Sequence, residues 1–275
     1  MRLSTHGNIG NIGTIMYSRL LAFAFSLFAT LPAQAGVLDD VKASGELKVC
    51  IWPDYYGISY RNPRTGTLQG IDIDLSLALA KDLGVRLVHI ETSFNTLIDD
   101  LIAGKCQIGM MGIGVTPERK QQLAFSLPYL RSDIYAITTR DNATLKTWAD
   151  IDRPGRSIAV QKGTYMESLM RRTLAHARLI VTERPGERER EVSSGRADAF
   201  ITDYPYSQRM LASTDWARRI EPTQTVQLTD YAYAVAQGDA PWLARVNQFV
   251  TRIKADGRLR SAAQRHQLTP IVVSE

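Results

Sequence analysis

Three stretches place polar residues where a strand gives way to a helix. The first is Gly112-Ile113-Gly114-Val115-Thr116-Pro117-Glu118-Arg119. Thr116 is a helix N-cap and Pro117 suits the first helical position. Glycine lets a ligand approach the bare backbone, and a helix start offers unpaired N–H groups with partial positive charge. Arg119 adds a forked donor matched to a carboxylate. Together they describe a carboxylate receptor, though the same residues also describe a capped surface helix with a solvated arginine. The second stretch, Gly195-Arg196-Ala197-Asp198-Ala199-Phe200-Ile201-Thr202-Asp203-Tyr204, delivers an acid to the end of an apolar strand. Ligands of open α/β sheets gather there. Asp203 either holds an ammonium group or caps the helix that Tyr204-Pro205 begins. In the third, Gln161-Lys162-Gly163-Thr164-Tyr165-Met166-Glu167, Thr164 and Glu167 fit a capping box, and the loop's N–H groups suit an anion.

The elements that must position these residues alternate strand and helix, the pattern of α/β layers with largely parallel sheets. Glu46–Trp52, Val85–Ile90 and Cys106–Ile113 read as strands. A helix between the first two carries Ile73, Leu77, Ala80 and Leu83 at helical spacing and stops at Gly84. A short helix spans Asn95–Ala103. A second unit begins near Thr138, with strands at Ser157–Val160, Arg178–Thr182 and Ala197–Thr202 and helices at Thr164–Leu174 and Glu187–Ser194. Tyr231–Gln237 reads as one strand, and Trp242, Val246, Phe249, Val250 and Ile253 form one helix face before Gly257.

Composition narrows the class. The chain is 44% hydrophobic and 22% charged, with a formal charge of +5. Its lysines and arginines are scattered and do not interleave with aromatics, which argues against a nucleic-acid partner. Arg19, the apolar run Leu20–Leu31 and Ala33-Gln34-Ala35 describe a secretory signal cleaved after Ala35, with Met16 a second candidate start. The run is too short to span a bilayer comfortably, and no cysteine follows it as a lipoprotein would need. An oxidising compartment permits a disulfide between Cys50 and Cys106, because the first and third strands of a β-α-β-α-β order can be neighbours. The alternative is two buried free thiols. His89, His176 and His266 are isolated, so no metal site is expected, and no nucleophile elbow, zinc motif or phosphate loop calls for a catalytic residue.

The chain beyond residue 35 resembles the bacterial extracellular solute-binding proteins of family 3, the periplasmic components of polar-amino-acid ABC transporters. The landmarks, in order, are Gly45-Glu46-Leu47-Lys48-Val49, Pro53-Asp54-Tyr55, Gly70-Ile71-Asp72-Ile73-Asp74-Leu75, Gly104-Lys105, Thr116-Pro117-Glu118-Arg119, Phe125-Ser126-Leu127-Pro128-Tyr129, Gly163-Thr164, Gly195-Arg196-Ala197-Asp198-Ala199 and Ala255-Asp256-Gly257. The resemblance implies an α/β, two-lobe periplasmic-binding-protein fold of the Venus-flytrap kind, with two mixed, mostly parallel sheets joined by a two-strand hinge. Residues 1–35 would be the signal peptide, 36–137 the first part of lobe 1, 138–232 lobe 2, and 233–275 the return to lobe 1.

It also implies roles. Arg119 would pair with a ligand α-carboxylate, assisted by backbone at Gly112 and Gly114, and Asp203 would accept the α-ammonium. Tyr55 and Phe94 would sandwich the side chain, Trp52 would tune its choice, and Thr164 and Tyr165 would add contacts from lobe 2. The implied protein is a monomeric receptor without cofactor that hands an amino acid or an amino-acid-like small molecule to an ABC transporter membrane permease. Two departures stand out: many family members carry Ser or Thr where Gly112 and Gly114 stand, and Tyr56-Gly57-Ile58 replaces the usual Pro-Phe after Tyr55. The chain also resembles cyclohexadienyl dehydratases, which share the fold, through Phe125–Arg131 and Asp152-Arg153-Pro154-Gly155. That chemistry needs a lobe-2 carboxylate as general acid. Glu167 is the nearest candidate, yet Met166 falls at the expected position. A ligand-presenting accessory protein is a third reading.

Overall fold

The computed structural model describes residues 36–274; the expected signal, residues 1–35, lies outside the described residues. After helix α1 (Val37–Ser44), strand β1 (Glu46–Ile51) enters the core with Leu47, Val49 and Ile51 fully buried. Strands β2 (Asp54–Tyr55), β3 (Ser59–Arg61) and β4 (Leu68–Gln69) form a small antiparallel sheet. Helix α2 (Ile71–Leu83) starts at Gly70, φ 139°, where a Cβ would lie 2.2 Å from the Ile58 carbonyl oxygen; no other residue fits. Its buried face carries Ile71, Leu75 and Leu79. Of the expected stripe, Ala80 is buried and Ile73 and Leu83 pack against the core, but Leu77 is 61% exposed, so the buried face is turned from the one expected. The segment holds two overlapping apolar stripes at helical spacing, and docking selects the one that turns Asp72 inward.

Strand β5 (Arg86–Glu91), helix α3 (Leu97–Ile102), strand β6 (Ile108–Gly109), helix α4 (Pro117–Lys120) and strand β7 (Leu123–Phe125) continue this lobe. Strand β6 is shorter than the expected Cys106–Ile113, because the backbone leaves the ladder and the Gly112 N–H turns to Asp72 Oδ2 at 2.8 Å. Cys50 and Cys106 form a disulfide across 5.6 Å between their Cα atoms, 56 residues apart in sequence. Such a link stabilises by on the order of 2–4 kcal/mol, largely by restricting the unfolded chain.

Strand β8 (Leu130–Ser132) leads to β9 (Ile134–Thr139), β10 (Ser157–Gln161), helix α5 (Tyr165–Thr173), β11 (Arg178–Thr182), helix α6 (Glu187–Ser193), β12 (Ala199–Asp203), helix α7 (Tyr204–Ser213) and β13 (Ala217–Ile220). The chain returns through β14 (Thr229–Tyr231) and β15 (Ala234–Ala236) to helices α8 (Ala240–Ala255) and α9 (Arg258–Arg265). The expected single strand Tyr231–Gln237 is thus two, broken where the chain passes from one pairing partner to another and Ala232 N–H bonds the Ile113 carbonyl.

Two five-stranded sheets result, ordered β5-β1-β6-β15-β7 and β11-β10-β12-β9-β13. In each, four strands run one way and one, β15 or β9, runs against them between two antiparallel neighbours. The fold is the expected two-lobe α/β architecture, and β8 and β14 pair as an antiparallel ribbon between the lobes. Strand β9 pairs within the second sheet, so Ile134–Ile137 go with lobe 2 although the sequence reading put them in lobe 1. Helix α8 buries the predicted face from Trp242 to Ile253, and Trp242 Nε1 donates to the Gln107 carbonyl at 2.9 Å. Among the described residues no helix is long and apolar enough to cross a membrane, and no cluster of three His, Cys, Asp or Glu is arranged for a metal ion.

Candidate functional site

A narrow cleft lies where the strand ends of the two lobes face each other. From lobe 1 it is walled by Trp52, Tyr55, Phe94, Gly112 and Arg119. Trp52, Tyr55 and Phe94 form an aromatic cluster with ring centroids 5.4–5.9 Å apart. Thr116 caps α4 through its side chain, accepting from Arg119 N–H at 3.2 Å, as the sequence implied. That cap aims Arg119 inward rather than into solvent. Arg119 is 7% exposed; its guanidinium lies 5.4 Å from the Phe94 ring centre and donates to the Gly114 carbonyl at 2.8 Å and the Gly163 carbonyl at 2.9 Å. The second of these bonds crosses the cleft. Burial lowers the Arg119 pKa to about 10, so it remains a cation at neutral pH and presents that charge to the gap.

Lobe 2 supplies Thr164, Tyr165, Met166, Thr202 and Asp203. Asp203 ends strand β12, is 1% exposed, and takes the expected cap role with one oxygen. Its Oδ1 caps α7 by accepting from Tyr206 N–H at 3.3 Å, while Oδ2 accepts from the hydroxyls of Tyr55 and Tyr231. Burial raises the Asp203 pKa, and the tyrosine hydroxyls, which favour the anion, offset part of that rise. The Tyr165 and Tyr231 hydroxyls lie 3.3 Å apart.

The two glycines have a steric reason. A Cβ on Gly112, φ +61°, would come 2.9 Å from the Tyr55 ring, and one on Gly114 would come 2.8 Å from the Tyr165 ring. Space that a Ser or Thr side chain would take is occupied by tyrosines, which bring the hydroxyls instead. The Gly112 N–H is held by Asp72, so that donor is not open to the cleft. Gly163, φ +77°, lies so close to lobe 1 that a Cβ would be 2.7 Å from Asn95 N.

The expected capping box at α5 is not formed. Thr164 Oγ donates instead to the Gln161 carbonyl at 2.7 Å, and Glu167 reaches past it to accept from Gly163 N–H at 2.7 Å while pairing with Arg171. The tight Gly163 turn brings the earlier N–H nearer to the carboxylate. Met166 lines the cleft and Glu167 does not.

The structure therefore gathers Trp52, Tyr55, Phe94, Gly112, Arg119, Thr164, Tyr165 and Asp203 around one cleft, with Gly114 behind Arg119. Sequence reasoning missed Tyr231, Thr202, Tyr206 and Arg188. Tyr231 sits in the return crossover, where nothing local marks it. Arg188 lies in the run Glu187-Arg188-Glu189-Arg190-Glu191, which reads as a solvated helix, yet it is 3% exposed. Its only signal was the i, i+4 partner Val192, the other buried residue of α6.

The model of the bacterial extracellular solute-binding proteins, family 3, matches residues 47–269. The chain is 31% identical to the cyclohexadienyl dehydratase of Pseudomonas aeruginosa, over 88% of this chain and 90% of that protein. Among solved structures, an ancestral amino acid-binding protein described as a precursor of cyclohexadienyl dehydratase aligns with TM-score 0.77 and 32% identity, covering 84% of this chain and 99% of that one. An amino acid ABC transporter substrate-binding protein of Streptococcus pneumoniae, bound to L-arginine, aligns with TM-score 0.77 and 26% identity over 84% and 98% of the two chains. With the family model spanning both lobes, this chain belongs to the bacterial extracellular solute-binding proteins, family 3.

Proposed function

We propose that the chain is a periplasmic receptor that captures an amino acid in the cleft between its lobes and delivers it to an ABC transporter permease. The observation that carries this reading is the placement of a guanidinium and a carboxylate, Arg119 and Asp203, on opposite lobes of one buried cleft. A zwitterion spans that pair: its carboxylate meets the Arg119 fork, and its ammonium brings Asp203 a direct counter-charge. Trp52, Tyr55 and Phe94 enclose the side chain, with Thr164 and Tyr165 closing from lobe 2. Lobe 1 comprises roughly residues 36–133 and 233–275, and the chain acts as a monomer without cofactor after losing residues 1–35.

The test is a thermal-shift screen of amino acids, opines, polyamines and small carboxylates, followed by titration with each hit. A bound ligand raises the melting temperature with the logarithm of its concentration over Kd. Arg119→Ala is expected to weaken a hit by about 2–5 kcal/mol, the loss typical of a buried charge pair deprived of one partner. An unchanged Kd removes Arg119 from the site.

A dehydratase activity is the second reading. It is favoured by the 31% identity to a cyclohexadienyl dehydratase and by a buried carboxyl of raised pKa, Asp203, in the cleft. Met166 lines the cleft where that chemistry would use an acid. Steady product release from prephenate or arogenate establishes the activity, and its absence at high enzyme concentration leaves the receptor.

A further inference from the structure

The cleft holds a second buried guanidinium that the zwitterion does not use. Arg188, on α6 of lobe 2, is 3% exposed and forms part of the cleft wall. Its guanidinium carbon stands 4.0 Å from the Tyr206 ring centre and 5.0 Å from that of Phe200. Nε donates to Glu189 Oε1 at 3.0 Å, so the Nη edge is the part of the fork left outside that pair. Stacking on two rings and a one-point pair fix the plane of the fork, the arrangement that suits two-pronged recognition of a carboxylate.

Charge along the cleft points the same way. Among the described residues that line it, Arg119 and Arg188 are cations and Asp203 is the one acid. Asp203 is already assigned to the ammonium. A cationic ligand side chain would find aromatic rings and Arg188, whose charge Glu189 balances from behind, and no carboxylate besides Asp203 in the wall. Trp52, at the place read as tuning side-chain choice, supplies none.

We infer that the side chain of the captured amino acid ends in a carboxylate seated on Arg188, so that the cleft selects acidic amino acids over amide and cationic ones. This rests on the receptor reading. It assigns Arg188 as a specificity-determining residue, beyond a stacked cation that merely holds α6 against α7.

Isothermal titration of the mature chain with L-glutamate, L-aspartate, L-2-aminoadipate, L-glutamine, L-asparagine and L-arginine tests it. One of the three acids should bind at least about tenfold tighter than its amide and than arginine, the discrimination expected of a charged hydrogen bond in a buried site. In Arg188→Gln that acid should weaken by about ten- to a hundredfold while the amide changes by less than about threefold, and Arg188→Lys should keep part of the preference. Glutamine, asparagine or arginine binding as tightly as every acid overturns the inference while leaving the receptor intact. An equal loss for acid and amide in Arg188→Gln, with the far-ultraviolet circular dichroism unchanged, reduces Arg188 to a structural cation. Should Arg188→Gln fail to fold, the ranking by the unmodified chain still decides. If no amino acid binds at all, the receptor reading fails and carries this inference with it.

Discussion

Asp72 and Asp203 are both buried carboxyls reached by tyrosine hydroxyls, and they differ in where their donors come from. Asp72, in the first turn of α2, accepts from Tyr129 Oη at 2.6 Å and from Gly112 N–H at 2.8 Å, and the Tyr233 hydroxyl also favours its anion. Burial pushes its pKa up to about 7. All of its surroundings belong to lobe 1 and the start of the crossover. Asp203 draws on Tyr55 of lobe 1, Tyr231 of the return crossover and a backbone N–H of its own helix. The first acid is enclosed by groups of one lobe. The second has its surroundings assembled only when they meet, so parting the lobes would return it to water. A buried carboxyl becomes a site when the groups that satisfy it lie across a gap that a ligand can enter.

The comparison breaks first at affinity. Asp203→Asn should weaken amino-acid binding by about 2–5 kcal/mol, while Asp72→Asn should leave it nearly unchanged in the same titration. Asparagine still caps a helix, so α7 should survive the change. Equal losses in the two variants would erase the distinction.

The distinction sharpens with pH. The unfolded chain loses the Asp72 proton near pH 3.8, and the folded chain keeps it to about pH 7. Between those values the folded state binds more protons, so this group's contribution to stability is complete below the lower value and is lost as pH rises to the upper one. Denaturant titrations at pH 4, 6 and 8 should show that decline in the parent chain and a flatter profile in Asp72→Asn. A steeper profile in the variant contradicts the assignment.

The smallest effect belongs to Arg209, whose Nη1 lies 3.0 Å from Asp54 Oδ1 across the lobes with both side chains partly exposed. Arg209→Ala should cost binding no more than about 1 kcal/mol, as partly solvated pairs do, and less at high salt. A loss as large as that of Asp203→Asn would make this pair part of the grip.

Much of the molecule could be read before any coordinates. Strand and helix alternation, the Thr116-Pro117 start with Arg119 three residues on, and the delivery of Asp203 to a strand end are statements about neighbours in sequence, and local backbone chemistry sets them. Other features were open to more than one reading. The α2 segment offers two apolar stripes, and packing against the sheet selects Ile71, Leu75 and Leu79. Thr164 and Glu167 spell a capping box, but the tight turn at Gly163 presents a different N–H.

Periodicity, caps and turns operate over a few residues, and so the sequence alone determined the α/β class, most of the order of elements and the strand-end positions of Arg119 and Asp203. The tertiary structure decided what those ends face. Tyr55 meets Asp203 across 148 residues of chain, and Arg119 meets Gly163 across 44. Arg188 leaves the solvent because Phe200 and Tyr206 cover it. Contacts of that range depend on how two lobes lie against each other, and no local preference encodes the distance between them.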